Sequence, residues 1–107
     1  MQISFKDKRV AVAGGSRGIG RSIALGFAAA GASVSICARG QAGLDATADE
    51  IRALGARVHA ARCDLADRES IAAYVTAAAA ALDGIDVLVN NASGRSEERR
   101  VGKECRL

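Results

Sequence analysis

Short apolar runs alternate with longer amphipathic stretches along most of this chain. The runs have strand length and lie at about 9–13, 33–37, 57–63 and 85–90. In the stretches between them, apolar residues recur every three or four positions, which places them on one face of a helix. The pattern therefore predicts four strands that alternate with three helices, and this alternation implies an α/β fold with a parallel sheet and right-handed crossovers.

Glycine and aspartate residues mark the ends of the predicted helices. Gly31 and Gly55 follow the first and second helices at the position where a left-handed residue commonly ends a helix. Asp67 precedes the third helix as a candidate N-cap, and Gly84 follows it. These signals place the helices at about 18–30, 41–54 and 67–84.

The composition limits the classes of protein to consider. A chain of 107 residues is one domain at most. Half of its residues are apolar but very few are aromatic, so alanine, valine, isoleucine and leucine must build the core. No apolar run reaches the length of a membrane span, and residues 1–10 are charged without the apolar centre of a signal peptide. We therefore expect a cytoplasmic protein without a membrane partner.

The composition changes abruptly at Arg95, where a polar run without apolar periodicity begins. This run holds five of the fifteen basic residues, and without it the net charge falls from +3 to +1, which argues against a nucleic-acid-binding surface. Residues 95–106 also resemble the translation of a common sequencing adapter. We interpret residues 95–107 as a non-native or disordered tail, and residues 1–94 as the native domain.

The loop between the first strand and the first helix carries the clearest chemical signal. Residues 13–20 read Ala-Gly-Gly-Ser-Arg-Gly-Ile-Gly. In a strand–turn–helix unit, the bare backbone N–H groups at the start of the helix can face a phosphate. Ser16 and Arg17 lie in the loop and can donate hydrogen bonds to phosphate oxygens. A nucleotide-binding site is therefore the leading interpretation.

Two motifs together resemble the short-chain dehydrogenase/reductase family. Gly14, Gly18 and Gly20 match the family's glycine loop, and Asn-Asn-Ala at 90–92 matches the motif that ends its fourth strand. The resemblance extends over residues 6–94 and is strongest to reductases of the 3-oxoacyl-carrier-protein type. Alanine replaces the usual threonine before Gly14, and serine replaces the usual glycine after the second motif. The resemblance implies a Rossmann-like doubly wound sheet, truncated here after the fourth strand.

The same resemblance assigns roles in binding a nicotinamide dinucleotide. Asp64 would accept a hydrogen bond from the adenine amino group, Leu65 would pack beside the ring, and Asn90 and Ala92 would lie against the ribose. The alternative is that Asp64 caps a turn and does not bind the adenine. The full set of expected cofactor-binding residues is Gly14, Ser16, Arg17, Gly18, Ile19, Gly20, Arg39, Asp64, Leu65, Asn90 and Ala92.

Arg39 follows the second strand and bears on the choice of cofactor. In dinucleotide-binding folds, an acid near this place binds the ribose 2′-hydroxyl of NAD, whereas an arginine accommodates the 2′-phosphate of NADP. No acidic residue occurs between Arg39 and Asp45. The sequence therefore predicts that NADP(H) is preferred over NAD(H), with Arg17 able to contact the same phosphate. A solvated surface arginine is the alternative.

The family's catalytic serine and Tyr-x-x-x-Lys motif do not occur in this chain. Tyr74 is the only tyrosine, and Ala78 stands where the lysine would be. The resemblance implies that the parent protein is an oxidoreductase, active as a homotetramer or homodimer, which transfers hydride between nicotinamide and a carbonyl or alcohol. We expect no catalytic residue in this chain and no activity from it alone.

The sequence is also compatible with two other functions. Gly15, Gly20, Arg21 and Ser22 nearly fit a phosphate-binding P-loop, but arginine is a poor substitute for the lysine of that motif. The second alternative is a non-catalytic NADP-binding module. No spacing of residues predicts a metal site.

Overall fold

The computed structural model describes residues 4–14 and 18–90, and its helices and strands alternate as the sequence predicts. They are, in chain order, β1 (Arg9–Ala13), α1 (Gly18–Ala29), β2 (Ser33–Ala38), α2 (Gln41–Ala53), β3 (Val58–Arg62), α3 (Arg68–Leu82) and β4 (Val87–Asn90). The strands form one parallel sheet in the order β3-β2-β1-β4. The predicted Rossmann-like α/β fold is confirmed.

Helices cover both faces of the sheet, and the side chains of β1 are buried on both faces. Val10 and Val12 point to the face that α1 and α2 cover, while Ala11 and Ala13 point to the face beneath α3. All four side chains are at most 1% exposed. This double burial explains why the strand reads as a continuous apolar run, as is usual in parallel sheets.

The ends of the helices follow the local signals in the sequence. Gly31 has a φ of +102°, and hydrogen bonds from the Gly31 and Ala32 N–H groups to the Ala28 and Phe27 carbonyls close a Schellman motif at the end of α1. At the start of α3, the Asp67 carboxylate accepts a hydrogen bond of 2.9 Å from the Glu69 N–H group. Both predicted caps are confirmed.

The end of α3 differs from the prediction for a local reason, and the start of β4 differs because of a long-range contact. The left-handed turn after α3 begins at Asp83, with a φ of +66°, one residue before the predicted glycine. The predicted strand 85–90 begins only at Val87, because the Asp86 side chain replaces part of the backbone pairing. Its carboxylate accepts the Arg9 N–H group at 2.8 Å, while its own N–H group donates to the Arg9 carbonyl at 2.7 Å.

Within the described residues, none of the helices combines the length and the apolar character that a membrane crossing requires.

Candidate cofactor-binding site

The carboxyl ends of the four parallel strands bring those predicted site residues that the structure describes to one edge of the sheet. Ala13 at the end of β1 pairs with Cys37 on one side and with Asn90 on the other. Since β3 and β4 flank opposite sides of the β1–β2 pair, the strand order changes direction at β1. In open α/β sheets, ligands bind at such a crevice beyond the carboxyl ends of the strands.

The glycine loop leaves β1 through a conformation that favours glycine. Gly14 has a φ of +92°, and its N–H group donates a hydrogen bond of 2.9 Å to the Cys37 carbonyl. Gly18 starts α1 with a φ of +61°, and a Cβ added there would meet no other described atom within 4 Å. Gly20 is buried, which agrees with close packing of α1 on the sheet. Gly14 and Gly18 thus adopt positive φ angles that glycine tolerates, and the space beside Gly18 is open.

Three of the predicted residues, Ser16, Arg17 and Ala92, lie outside the described residues. Ile19 lies in the first turn of α1 and is 70% exposed, an unusual position for a large apolar side chain. Asn90 ends β4 and is partly buried opposite Ala13. Leu65 is also partly buried and packs against the apolar cluster beneath α3.

An open cleft of about 580 Å³ lies beyond the carboxyl ends of β2 and β3. Arg39 and Asp64 both line this cleft. Arg39 is exposed, and the described part of the chain offers its side chain no ion pair or hydrogen bond. The lining residues are Arg39, Gly40, Arg62, Cys63, Asp64 and Ser70.

Hydrogen bonds to the loop after β3 and to the first turn of α3 hold Asp64 in place. Its Oδ1 atom accepts the Ala66 N–H group at 3.0 Å, and its own N–H group donates to the Ser70 hydroxyl at 2.9 Å. The turn-capping role considered from the sequence is therefore present. A carboxylate has about four acceptor positions, so this bond leaves others for a ligand donor at the cleft.

The two cysteines near the site are free thiols and buried, as expected of small apolar residues. Cys37 and Cys63 lie in the cluster beneath α3, and Cys63 accepts a weak hydrogen bond of 3.6 Å from Ser70. Burial raises the pKa of the Cys37 thiol well above its usual range. A thiol that stays protonated is a poor nucleophile.

A buried polar network, which the sequence did not reveal, links β2, β3 and α3. The Ser35 hydroxyl lies 2.6 Å from the Tyr74 hydroxyl and 2.8 Å from Nδ1 of His59. The Tyr74 and His59 rings are nearly parallel, with centroids 6.3 Å apart. Burial lowers the pKa of His59 and raises that of Tyr74. Tyr74 thus packs within the apolar cluster beneath α3, and its hydroxyl has a structural role as well.

Comparison with known proteins identifies the family. The profile of the short chain dehydrogenase family matches residues 8–104. An uncharacterized oxidoreductase of Mycobacterium tuberculosis (strain CDC 1551 / Oshkosh) is 46% identical over 88 residues, which are 82% of this chain and 34% of the relative. The 7alpha-hydroxysteroid dehydrogenase of Escherichia coli (strain K12) is 38% identical over 92 residues, 86% of this chain and 36% of the enzyme.

A solved structure agrees with this result. The structure of a 7 alpha-hydroxysteroid dehydrogenase in complex with NADH and 7-oxo glycochenodeoxycholic acid matches with a TM-score of 0.81 and 36% sequence identity. The match covers 85% of this chain and 36% of that chain. This chain spans about a third of the length of these relatives. From the profile match, the sequence identity and the shared fold, we conclude that the chain belongs to the short chain dehydrogenase family.

Proposed function

We propose that residues 1–94 are the N-terminal, cofactor-binding part of an oxidoreductase that transfers hydride between a nicotinamide dinucleotide and a carbonyl or alcohol carbon. We further propose that this enzyme prefers NADP(H) over NAD(H), and that residues 95–107 are a non-native or disordered tail. The 3-oxoacyl type of substrate stays a prediction, as do the cytoplasmic location and the homotetrameric or homodimeric state. Family membership removes the support for the P-loop alternative.

The described residues fit a dinucleotide. The positive φ angles of Gly14 and Gly18 and the open space at Gly18 suit a loop that receives a pyrophosphate at the start of α1. The cleft after β2 and β3 has room for the adenosine end, with the Asp64 carboxylate at its wall. When bound, the cofactor supplies or accepts the hydride.

The residues of this chain would bind and orient the cofactor. The loop N–H groups, with Ser16 and Arg17, would hold the pyrophosphate, while Asp64 and Leu65 would hold the adenine. Asn90 and Ala92 would lie against the ribose nearer the nicotinamide. The proton donor of the family, the tyrosine of Tyr-x-x-x-Lys, is not in this sequence, so we expect no turnover from this chain alone. Finding this motif further along the parent gene would distinguish the enzyme from a non-catalytic NADP-binding module.

One observation carries the preference for NADP(H): an exposed arginine without an acidic partner among the described residues lines the cleft after β2. An acid there would bind the 2′-hydroxyl of NAD, whereas the Arg39 guanidinium attracts the 2′-phosphate of NADP. A charge-assisted hydrogen bond contributes about 1.5–3 kcal/mol. One such bond gives a preference of about tenfold or more.

Fluorescence titration of the full-length protein with NADPH and NADH tests this proposal. We expect NADPH to bind at least about tenfold more tightly, and Arg39→Gln to remove most of that difference without changing the affinity for NADH. Arg52→Gln makes the same change of charge at an exposed site on α2 and serves as the control. Equal affinities of the unmutated protein for NADPH and NADH would contradict the proposed preference.

A further inference from the structure

A second guanidinium group lies beside Arg39 in the same cleft. Arg62 is the last residue of β3 and pairs in register with Ala38, the residue before Arg39. Its Nε atom donates a hydrogen bond of 3.2 Å to the Arg39 carbonyl. This contact fixes the inner part of the Arg62 guanidinium next to the backbone of Arg39, and both residues line the cleft.

The positive charge of these two arginines is not neutralised within the described structure. The ion pairs found in residues 4–14 and 18–90 involve Arg9, Arg21, Arg52 and Arg57, but neither Arg39 nor Arg62. Two cations in one cleft repel each other, and an anion placed between them would remove that repulsion. The carboxylate that lines the cleft, Asp64, accepts a backbone hydrogen bond and forms no ion pair with either arginine.

The geometry of Arg62 leaves it donors for a ligand. A guanidinium carries five N–H groups in a planar fork, and the Arg39 carbonyl takes only the one on Nε. The described residues offer no hydrogen-bond partner to the terminal nitrogens Nη1 and Nη2. Such a fork binds phosphate oxygens in pairs, and it does so better than a lysine ammonium.

We propose that Arg62 is a second determinant of cofactor specificity, whose terminal nitrogens bind the 2′-phosphate of NADP(H) together with Arg39. The proposal rests on the proposed function, because it requires that NADP(H) binds in this cleft. The motifs of the glycine loop and of the fourth strand do not include Arg62. Arg62 lies at the cleft because the pairing of β3 with β2 places it opposite Ala38.

Substitution of Arg62 in the full-length protein tests the proposal. We expect Arg62→Gln to weaken NADPH binding about tenfold or more and to leave NADH binding within about twofold. Glutamine keeps an N–H donor where Arg62 has Nε and removes the charge together with the terminal nitrogens, so a purely structural role through the Arg39 carbonyl would leave the preference unchanged. Arg62→Lys should restore part of the preference, and Arg52→Gln should leave both affinities unchanged.

Chemical modification of the unmutated protein provides a measurement that does not depend on the folding of a variant. Phenylglyoxal modifies exposed guanidinium groups, and peptide mass mapping reports the extent at each arginine. We expect 2′,5′-ADP to protect Arg62 and Arg39 more strongly than 5′-AMP does, because only the former carries the 2′-phosphate.

The outcomes separate this inference from the proposed function. If NADPH is preferred and the preference depends on Arg39 but survives Arg62→Gln, the role of Arg62 is wrong and the proposed function stands. If Arg62→Gln weakens NADPH and NADH binding equally, Arg62 is only a structural support of the loop and the inference is wrong. Equal protection of Arg62 by 2′,5′-ADP and 5′-AMP would also overturn the inference. A wild-type protein without any preference would overturn both proposals.

Discussion

Ser35 shows how a single polar side chain organises an otherwise apolar layer. It is fully buried in the middle of β2, and its hydroxyl contacts both Tyr74 and His59. A buried hydroxyl without a partner is costly, so the three side chains depend on one another. The network fixes α3 against β2 and β3 through hydrogen bonds as well as through apolar contact.

Substitutions at the two buried hydroxyls should have unequal effects. Ser35→Ala leaves the Tyr74 hydroxyl buried without its partner, and we expect it to lower the free energy of unfolding of the full-length protein by about 1–3 kcal/mol. Tyr74→Phe removes one hydrogen bond but leaves Ser35 bonded to His59, so we expect a loss of about 1 kcal/mol. Urea unfolding measures both values, and a larger loss for Tyr74→Phe would contradict this description of the network.

The chemistry of some residues could be predicted from the sequence, and that of others could not. The place of Arg39 at the cleft was predictable, because a residue that follows a strand lies at the edge of a parallel sheet where ligands bind in such folds. Ser35 and Arg62 were not, because their contacts depend on the register between β2 and β3. Hydrophobic periodicity shows which face of a strand is buried, but not which residues of two strands are opposite each other.

At the scale of the elements, Arg9 joins the start of β1 to the segment between α3 and β4. Its Nε and Nη2 atoms donate to the Asp86 carboxylate at 2.9 and 3.1 Å, and Nη1 donates to the Asp83 carbonyl at 2.6 Å. A Cβ at Gly84, whose φ is +125°, would approach the Arg9 guanidinium to 2.9 Å. Glycine at this position therefore allows both the turn and the close packing of the arginine.

The Arg9–Asp86 pair should make the stability of the fold depend on pH in acid. Hydrogen bonds from Arg9 lower the pKa of Asp86 from its ordinary value of 3.8 to about 2. The stabilisation is therefore complete above pH 4 and is lost as the pH falls toward 2, because the unfolded chain binds the proton more readily. We expect Asp86→Asn to lower the midpoint of thermal unfolding at pH 7 and to reduce its dependence on pH between 4 and 2.

A second aspartate provides the control for this measurement. Asp49→Asn removes an equal charge from a more exposed ion pair with Arg52 on the surface of α2. We expect this variant to keep nearly the wild-type midpoint and the same acid dependence. A wild-type slope between pH 4 and 2 in the Asp86→Asn variant would contradict the role of the Arg9–Asp86 pair.

Most boundaries of the elements were predictable because local residues encode them. Gly31 and Asp67 end and begin helices through bonds to their near neighbours. The start of β4 was not predictable, because it depends on the contact of Asp86 with a residue 77 positions earlier in the chain. Local signals thus define the helices, whereas long-range pairing decides where the edge strand begins.

On the scale of the whole molecule, the order of the strands brings the described residues of the candidate site to one edge of the sheet. The order β3-β2-β1-β4 places the cleft lined by Arg39 and Arg62 on one side of the carboxyl end of β1 and Asn90 on the other. The alternation of strands and helices predicted the parallel sheet and the edge where ligands bind. The strand order itself does not follow from the hydrophobic pattern, since several arrangements would bury the same residues.

The most direct test of the central claim is a crystal structure of the full-length protein with NADP⁺ bound. We predict that the pyrophosphate lies at the start of α1 and that the 2′-phosphate lies within about 3 Å of guanidinium nitrogens of Arg39 and Arg62. Electron density that places the adenosine end away from the cleft after β2 and β3, or the 2′-phosphate in solvent, would contradict the account.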